Sequence, residues 1–202
     1  MRDFYEAVWA DLPEDPEPWA WTRRRALLLR EIRPGDRVLD LGCGAGRFAA
    51  AARDAGADVV GVDVAEAALE RARRVAPGVD LRLVEPDGTL PLGHGEIDLV
   101  WCSEVLEHVP DTGSLLTEVR RVLRRDGRLL LTVPDHGRLK RTLIALARFE
   151  AHFDPLGQHV RFYTRRSLAA TLQATGFDDV RLSPLGGAPL LRDAIVARAV
   201  RR

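Results

Sequence analysis

The stretch Arg37-Val38-Leu39-Asp40-Leu41-Gly42-Cys43-Gly44-Ala45-Gly46 decides how the rest of the chain is read. Arg37–Leu41 reads as a strand, and the three glycines after it read as a tight turn into a helix beginning near Arg47. Glycine at 42, 44 and 46 lets the backbone approach a ligand where any Cβ would clash, and the amides of the next helix point at the same place. The spacing is G-x-G-x-G rather than G-x-G-x-x-G, and Asp40 stands just before the first glycine. A carboxylate there would repel a pyrophosphate and attract a ligand bearing a cationic amino group.

Outward from this loop, short apolar runs alternate with helical patterns. Arg37–Leu41, Asp58–Asp63, 81–84, 98–102 and 128–133 read as strands apolar on both faces, as a parallel sheet covered by helices requires. Helices are expected over 47–56, 65–76 and 112–125, the last stopped by Asp126-Gly127. Beyond them come a helix at 167–175, a strand at 180–183, a Pro/Gly turn and a strand over Ala194–Val200. Two strands joined by a turn form an antiparallel pair, where an ordinary nucleotide-binding fold would add another parallel crossover.

The second strand ends at Asp63, about twenty residues past the glycines, where a carboxylate can accept both hydroxyls of a ribose. Its competing role is to cap the helix starting near Ala65. After the third strand, Glu85-Pro86-Asp87 offers acids near an expected base, and Asp87 is the preferred contact.

With 202 residues, 46% hydrophobic and 30% charged, the chain suits one soluble globular domain. We divide it into an N-terminal helical cap (1–34), a cofactor-binding core (35–133), a lid insertion (134–163) and a C-terminal helix with an antiparallel strand pair (164–202). Thirty basic and thirty acidic residues cancel, so nucleic acid is not an expected partner. Cys43 and Cys102 are expected to be free thiols in a reducing compartment. No signal sequence or apolar run of about 20 residues is visible, so residence in the cytoplasm is expected. The oligomeric expectation is a monomer or homodimer.

Taken together, these motifs resemble the class I S-adenosylmethionine-dependent methyltransferases. Val38–Gly46 looks like that family's first motif, Val60–Asp63 its second-strand acid, Leu90-Pro91 with Ile97–Val100 its fourth-strand approach and Leu123–Pro134 its fifth strand. The resemblance implies a doubly wound, Rossmann-like α/β fold: a seven-stranded sheet of order 3-2-1-4-5-7-6 with strand 7 antiparallel. It implies S-adenosylmethionine across the carboxyl ends of strands 1, 2 and 4. Asp40 and Gly42 would then hold the methionine moiety, Asp63 the ribose, Val64 the adenine face and the Cys102–Ser103 backbone the region near the sulfonium, with Cys43, Gly44 and Gly46 of the same loop also on the cofactor.

After strand four comes Cys102-Ser103-Glu104-Val105-Leu106-Glu107-His108-Val109-Pro110. The Asn/Asp-Pro-Pro-aromatic motif of enzymes that methylate exocyclic base amines is missing. Glu104, Glu107 and His108 stand at i, i+3 and i+4, so on one helical turn they share a face and could bind a divalent metal. This E-x-x-E-H pattern is similar to that of ubiquinone-pathway O-methyltransferases and of small-RNA ribose 2′-O-methyltransferases, some of which orient an acceptor hydroxyl with a metal. His159 matches the context of a fourth ligand. The preferred reading is that His108 lines the pocket or acts as general base without metal; His136 and His159 are further candidate bases.

The insertion 134–163 is long enough to serve as a lid over the acceptor. Its Leu139, Leu143, Leu146 and Ala147 form an apolar stripe beside Arg138, Lys140, Arg141 and Arg148. We expect that stripe to pack on the domain; a peripheral membrane contact is the other option. Trp9, Trp19 and Trp21 are divided between lining the acceptor mouth and ordinary burial. The expected function is methyl transfer from S-adenosylmethionine to a small-molecule acceptor, at a hydroxyl oxygen. The alternatives are metal-assisted ribose 2′-O-methylation of RNA and a non-catalytic cofactor-binding or interaction protein.

Overall fold

The computed structural model describes residues 2–13, 16–85, 87–154 and 157–202. Two helices, α1 (Arg2–Asp11) and α2 (Trp21–Glu31), precede the sheet. The core then alternates: β1 (Arg37–Leu41), α3 (Arg47–Asp54), β2 (Asp58–Asp63), α4 (Glu66–Val75), β3 (Asp80–Leu83), β4 (Ile97–Ser103), α5 (Thr112–Val122) and β5 (Leu123–Pro134). After these come α6 (Arg138–Ala147), the single turn α7 (Phe149–His152), α8 (Arg165–Ala174), β6 (Asp178–Leu185) and β7 (Ala194–Val200). The seven strands lie in the order β3-β2-β1-β4-β5-β7-β6. The first five are parallel, and β7 runs antiparallel between β5 and β6, so the expected order and the antiparallel strand 7 are those found.

Side chains alternate across the central strands, as the two-residue period of a strand demands. Leu39, Val100, Leu129, Leu131, Ile195 and Ala197 face a core closed by Leu116 and Val119 of α5 and Leu168 and Leu172 of α8. Val38, Leu99, Trp101, Leu130 and Val196 face a second core closed by Leu28 of α2 and by Phe48, Ala49 and Ala52 of α3. Burial on both faces explains why these strands read as unbroken apolar runs. Asp40 interrupts its run and is nonetheless 3% exposed.

Two expectations are corrected. The helix expected to reach residue 125 ends at Val122, and Leu123 already pairs with Ile97. Asp126-Gly127 is an irregularity inside β5 rather than a helix stop: Asp126 has φ 61°, its amide donates to the Arg201 carbonyl, and the register of β4 on β5 shifts there. The other correction concerns the lid. Leu139, Leu143 and Leu146 do not pack on the domain but are exposed, Leu146 to 81%, and Ile144 is the buried residue of α6. Both cysteines are buried free thiols. Among the described residues, no helix is long and apolar enough to cross a membrane.

Candidate functional site

The loop after β1 is fixed by the strand beside it. The amides of Gly42 and Cys43 both donate to the Val62 carbonyl, at 2.8 and 2.9 Å. Gly44 adopts φ 53° and presses its bare α-carbon against Trp9, whose ring would stand 2.8 Å from any Cβ. Asp63, at the tip of β2, takes the Gly44 amide on one carboxylate oxygen (2.9 Å) and the Ala65 amide on the other (3.1 Å). The capping alternative is therefore half realised, because Asp63 ties the glycine loop to the start of α4. Each oxygen keeps a lone pair toward the cavity that Asp63 lines.

A cavity of about 790 Å³ lies over β1, β2 and β4, lined by Gly42, Asp63, Val64, Asp87, Glu104 and His108 among others. A smaller one of about 220 Å³ adjoins it, and Trp9 and Leu12 border both. Asp40, Gly42, Cys43, Gly44 and Ser103 line the smaller cavity, and Arg24 faces them. The Arg24 guanidinium donates to Ser103 Oγ (2.8 and 2.5 Å) and to the Trp19 carbonyl (2.9 Å), and stacks over Phe48. Asp40 Oδ2 is buried without a hydrogen-bond partner. Burial, followed by the charge of Asp63, raises the Asp40 carboxyl to about 7, against the opposing pull of the Ala49 amide and Arg24. An orphaned carboxylate and a guanidinium on one small cavity fit the ammonium and carboxylate of an amino acid.

Sequence reasoning missed Arg24. The signal was present: Arg24 and Leu28, at i and i+4, are the buried positions of α2, so a charge sits on its apolar face.

Helix α1 roofs the larger cavity. Its Glu6 accepts the amides of Glu66 (2.6 Å) and Ala67 (3.0 Å), capping α4 from outside where Ala65 offers no side-chain cap. Arg2 donates to the carbonyls of Val64 and Val84. Of the three N-terminal tryptophans, Trp9 lines the cavity, Trp21 packs on Phe48 at 4.9 Å, and Trp19 is 47% exposed.

The expected helical face of Glu104, Glu107 and His108 does not form. Glu104 is left-handed (φ 56°), its amide bonds the Thr132 carbonyl, and its carboxylate accepts the Thr132 hydroxyl at 2.8 Å. Only Leu106–His108 makes a turn, of 3₁₀ type. Three of the four proposed metal ligands still converge: donor atoms of Glu107, His108 and His159 lie within 4.8 Å of one another, without Glu104. Glu107 is 1% exposed, both its carboxylate oxygens lack a partner, and burial with the neighbouring Glu104 pushes it up to about 8. His108 Nδ1 lies 3.1 Å from the Gln158 carbonyl, which can only accept. The ring proton therefore sits on Nδ1, and the Nε2 lone pair is free, 3.9 Å from Glu107. Burial lowers the His108 pKa, keeping the imidazole neutral.

Other assigned residues lie further off. His136 is buried, its Nε2 is 3.0 Å from that of His152, and its pKa is lowered to about 4 by burial and then by His152. It lines neither cavity. Asp87 borders the larger cavity while holding the Thr89 amide, and Pro86 lies outside the described residues. Burial raises both thiols well above the usual range, so neither Cys43 nor Cys102 is a nucleophile.

A doubly wound sheet with an acid-flanked glycine loop at the carboxyl ends of its leading strands defines a nucleoside-binding α/β protein. Residues 14–182 match the methyltransferase-domain family, and the chain belongs to it. It is a class I S-adenosylmethionine-dependent methyltransferase. Its relatives include the ubiquinone biosynthesis O-methyltransferase of Thiobacillus denitrificans, 32% identical over 85% of this chain and 75% of that protein. An uncharacterized transposon protein of Streptomyces fradiae is 42% identical over 52% of this chain, which spans only 32% of that protein. In fold the chain is similar to phosphoethanolamine N-methyltransferase 2 of Haemonchus contortus, solved with S-adenosyl-L-methionine. The TM-score is 0.75, with 19% identity over 98% of this chain and 56% of that one.

Proposed function

We propose that the protein methylates a small-molecule acceptor at a hydroxyl oxygen. The observation that carries this reading is the free Nε2 lone pair of a neutral His108 at the wall of the larger cavity. S-adenosylmethionine, when bound, supplies a methyl group on cationic sulfur, which an acceptor oxygen attacks in line as the carbon–sulfur bond breaks. Around that event the chain holds and excludes. Asp40 and Arg24 take the amino-acid end, Asp63 the ribose, Val64 and Asp87 the adenine side, and Trp9 and Tyr5 keep water out. His108 Nε2 receives the acceptor's proton, with the Glu107 carboxyl 3.9 Å away. The ubiquinone-pathway relatives supply the preference for oxygen.

A second reading adds a divalent cation on Glu107, His108 and His159, favoured by the two partnerless oxygens of Glu107. Held there, a cation would lower the pKa of an acceptor hydroxyl. One assay separates the readings: methyl transfer to a panel of phenols, with and without chelator, by wild type and His108→Asn. General-base catalysis predicts a kcat loss of about 100-fold or more in the variant, unchanged S-adenosylhomocysteine affinity and indifference to chelator. Loss of activity in chelator, restored by Mg²⁺, would select the metal reading. An unaffected variant would refute His108 in either role.

A further inference from the structure

The wall of the larger cavity beyond the glycine loop is lined by acids and by no lysine or arginine among the described residues. Glu104, Asp111 and Glu118 line it, and Glu107 lies buried directly behind. Glu118 is paired with Arg121, but Glu107 has no partner, and Asp111 bonds only the amide and hydroxyl of Ser114. Among the described residues Arg2 is the one Lys or Arg lining this cavity, and its guanidinium is engaged by the Val64 and Val84 carbonyls at the far end. The cations nearest the acceptor side are held by carbonyls while they offset acids of this wall, Arg161 acting on Asp111 and Arg24 and Lys140 on Glu104. Arg161 holds the Pro110 carbonyl, and Lys140 lies against the carbonyls of Arg192 and Asp193. Arg24 faces the smaller cavity through Ser103. The remaining lining on this side is apolar, including Val8, Leu12, Val105, Val109 and Leu115.

Resting on the methyltransferase reading of this site, we infer that the acceptor is an apolar-bodied molecule without phosphate or carboxylate, neutral or cationic at neutral pH. An anionic group entering here meets acidic side chains and finds no lysine or arginine that is not already held by a carbonyl or an acid, so it loses its hydration without compensation. A neutral phenol or an amine does not. The same wall opposes RNA, whose phosphates flank every ribose hydroxyl.

Two nitroxide radicals of equal size, 4-amino-TEMPO and 4-carboxy-TEMPO, read the field directly through broadening of the Val105, Val109 and Leu115 amide signals in ¹⁵N-labelled protein. The comparison runs on the free protein and on protein saturated with S-adenosylhomocysteine. The cationic probe should broaden these signals at least threefold more; equal or greater broadening by the anion overturns the inference. Methyl transfer to catechol, dopamine and 3,4-dihydroxybenzoate adds a functional arm. The first two should exceed the carboxylate at least tenfold in kcat/KM, and comparable use of the carboxylate would also overturn it. Failure to bind S-adenosylhomocysteine, seen in the same spectra, would instead sink the methyltransferase reading and leave the charge comparison on the free protein standing.

Discussion

If Asp40 receives the ammonium group of the donor, binding must be linked to protons. In the free protein its carboxyl titrates near 7, because burial and Asp63 disfavour the charged form. An ammonium ligand requires the carboxylate. At pH 7 about half the molecules must therefore release a proton on binding, so roughly 0.5 proton leaves per site. Well below 7 each pH unit costs about 1.4 kcal/mol, so with half the sites already protonated at pH 7 affinity for S-adenosylhomocysteine should fall about 50-fold between pH 7 and pH 5. Titration calorimetry in phosphate and in Tris measures the released proton as a difference in apparent enthalpy. Asp40→Asn should abolish both the proton release and the pH dependence, and weaken binding at pH 8. The linkage has a stability counterpart. A carboxyl raised on folding stabilises the free protein below its unfolded value near 4, and that contribution is lost as pH rises through 7. The free Asp40→Asn protein should therefore lose less stability than wild type between pH 5 and pH 8. A buffer-independent enthalpy, with affinity flat from pH 5 to pH 8, would refute the assignment of Asp40.

Three further outcomes follow from the same geometry. Arg24→Met should weaken S-adenosylhomocysteine about 10- to 100-fold, the worth of a charged hydrogen bond of about 1.5–3 kcal/mol, while methylthioadenosine, which has no carboxylate, binds as before; equal losses for both would refute the role given to Arg24. Glu6→Ala removes the external cap of α4 and should cost about 1 kcal/mol, read as a fall in Tm of about 2–4 °C; protease cleavage near α1 should also become faster. The affinity ratio of S-adenosylmethionine to S-adenosylhomocysteine should fall as pH drops from 8.5 to 6.5, because Glu107, pushed up to about 8 by burial and Glu104, loses its negative charge beside His108 over that range. A ratio that rises, or stays level in calorimetry, would contradict the field we assign to this wall.

The elements most legible in the sequence are those fixed by local chemistry. β1, β2 and β7 begin and end at the expected residues, because each is apolar on both faces and bounded by Gly or charged residues. The glycine loop was readable for a similar reason, since a left-handed backbone at 42, 44 and 46 is a property of those residues themselves. Strand order was not in the periodicity; it came from the resemblance, because pairing is non-local. Asp126-Gly127 misled because a helix stop and a β-irregularity call for the same residues. The α6 stripe misled differently: spacing identifies an apolar face, and says nothing about whether another element covers it. For Glu104 the error was an assumed α-helical period across a residue whose backbone is left-handed.

What the periodicity could least disclose is that both cavities are completed by the segment before the sheet. Trp9 stands on Gly44 and borders both cavities, Arg24 supplies the cation that shares the smaller one with Asp40, and Glu6 and Arg2 anchor the roof to α4 and to the residues just past β2 and β3. The sheet thus contributes acids, and residues 2–31 contribute the base and the aromatic wall. This division has an energetic logic. Asp63 and, around the buried Arg24, Asp40, Glu104 and Glu107 are held raised by burial, a charge deficit that the free protein tolerates by protonation. A cationic donor would relieve that deficit by taking up the ionised acids, so their burial would favour a sulfonium-bearing amino acid.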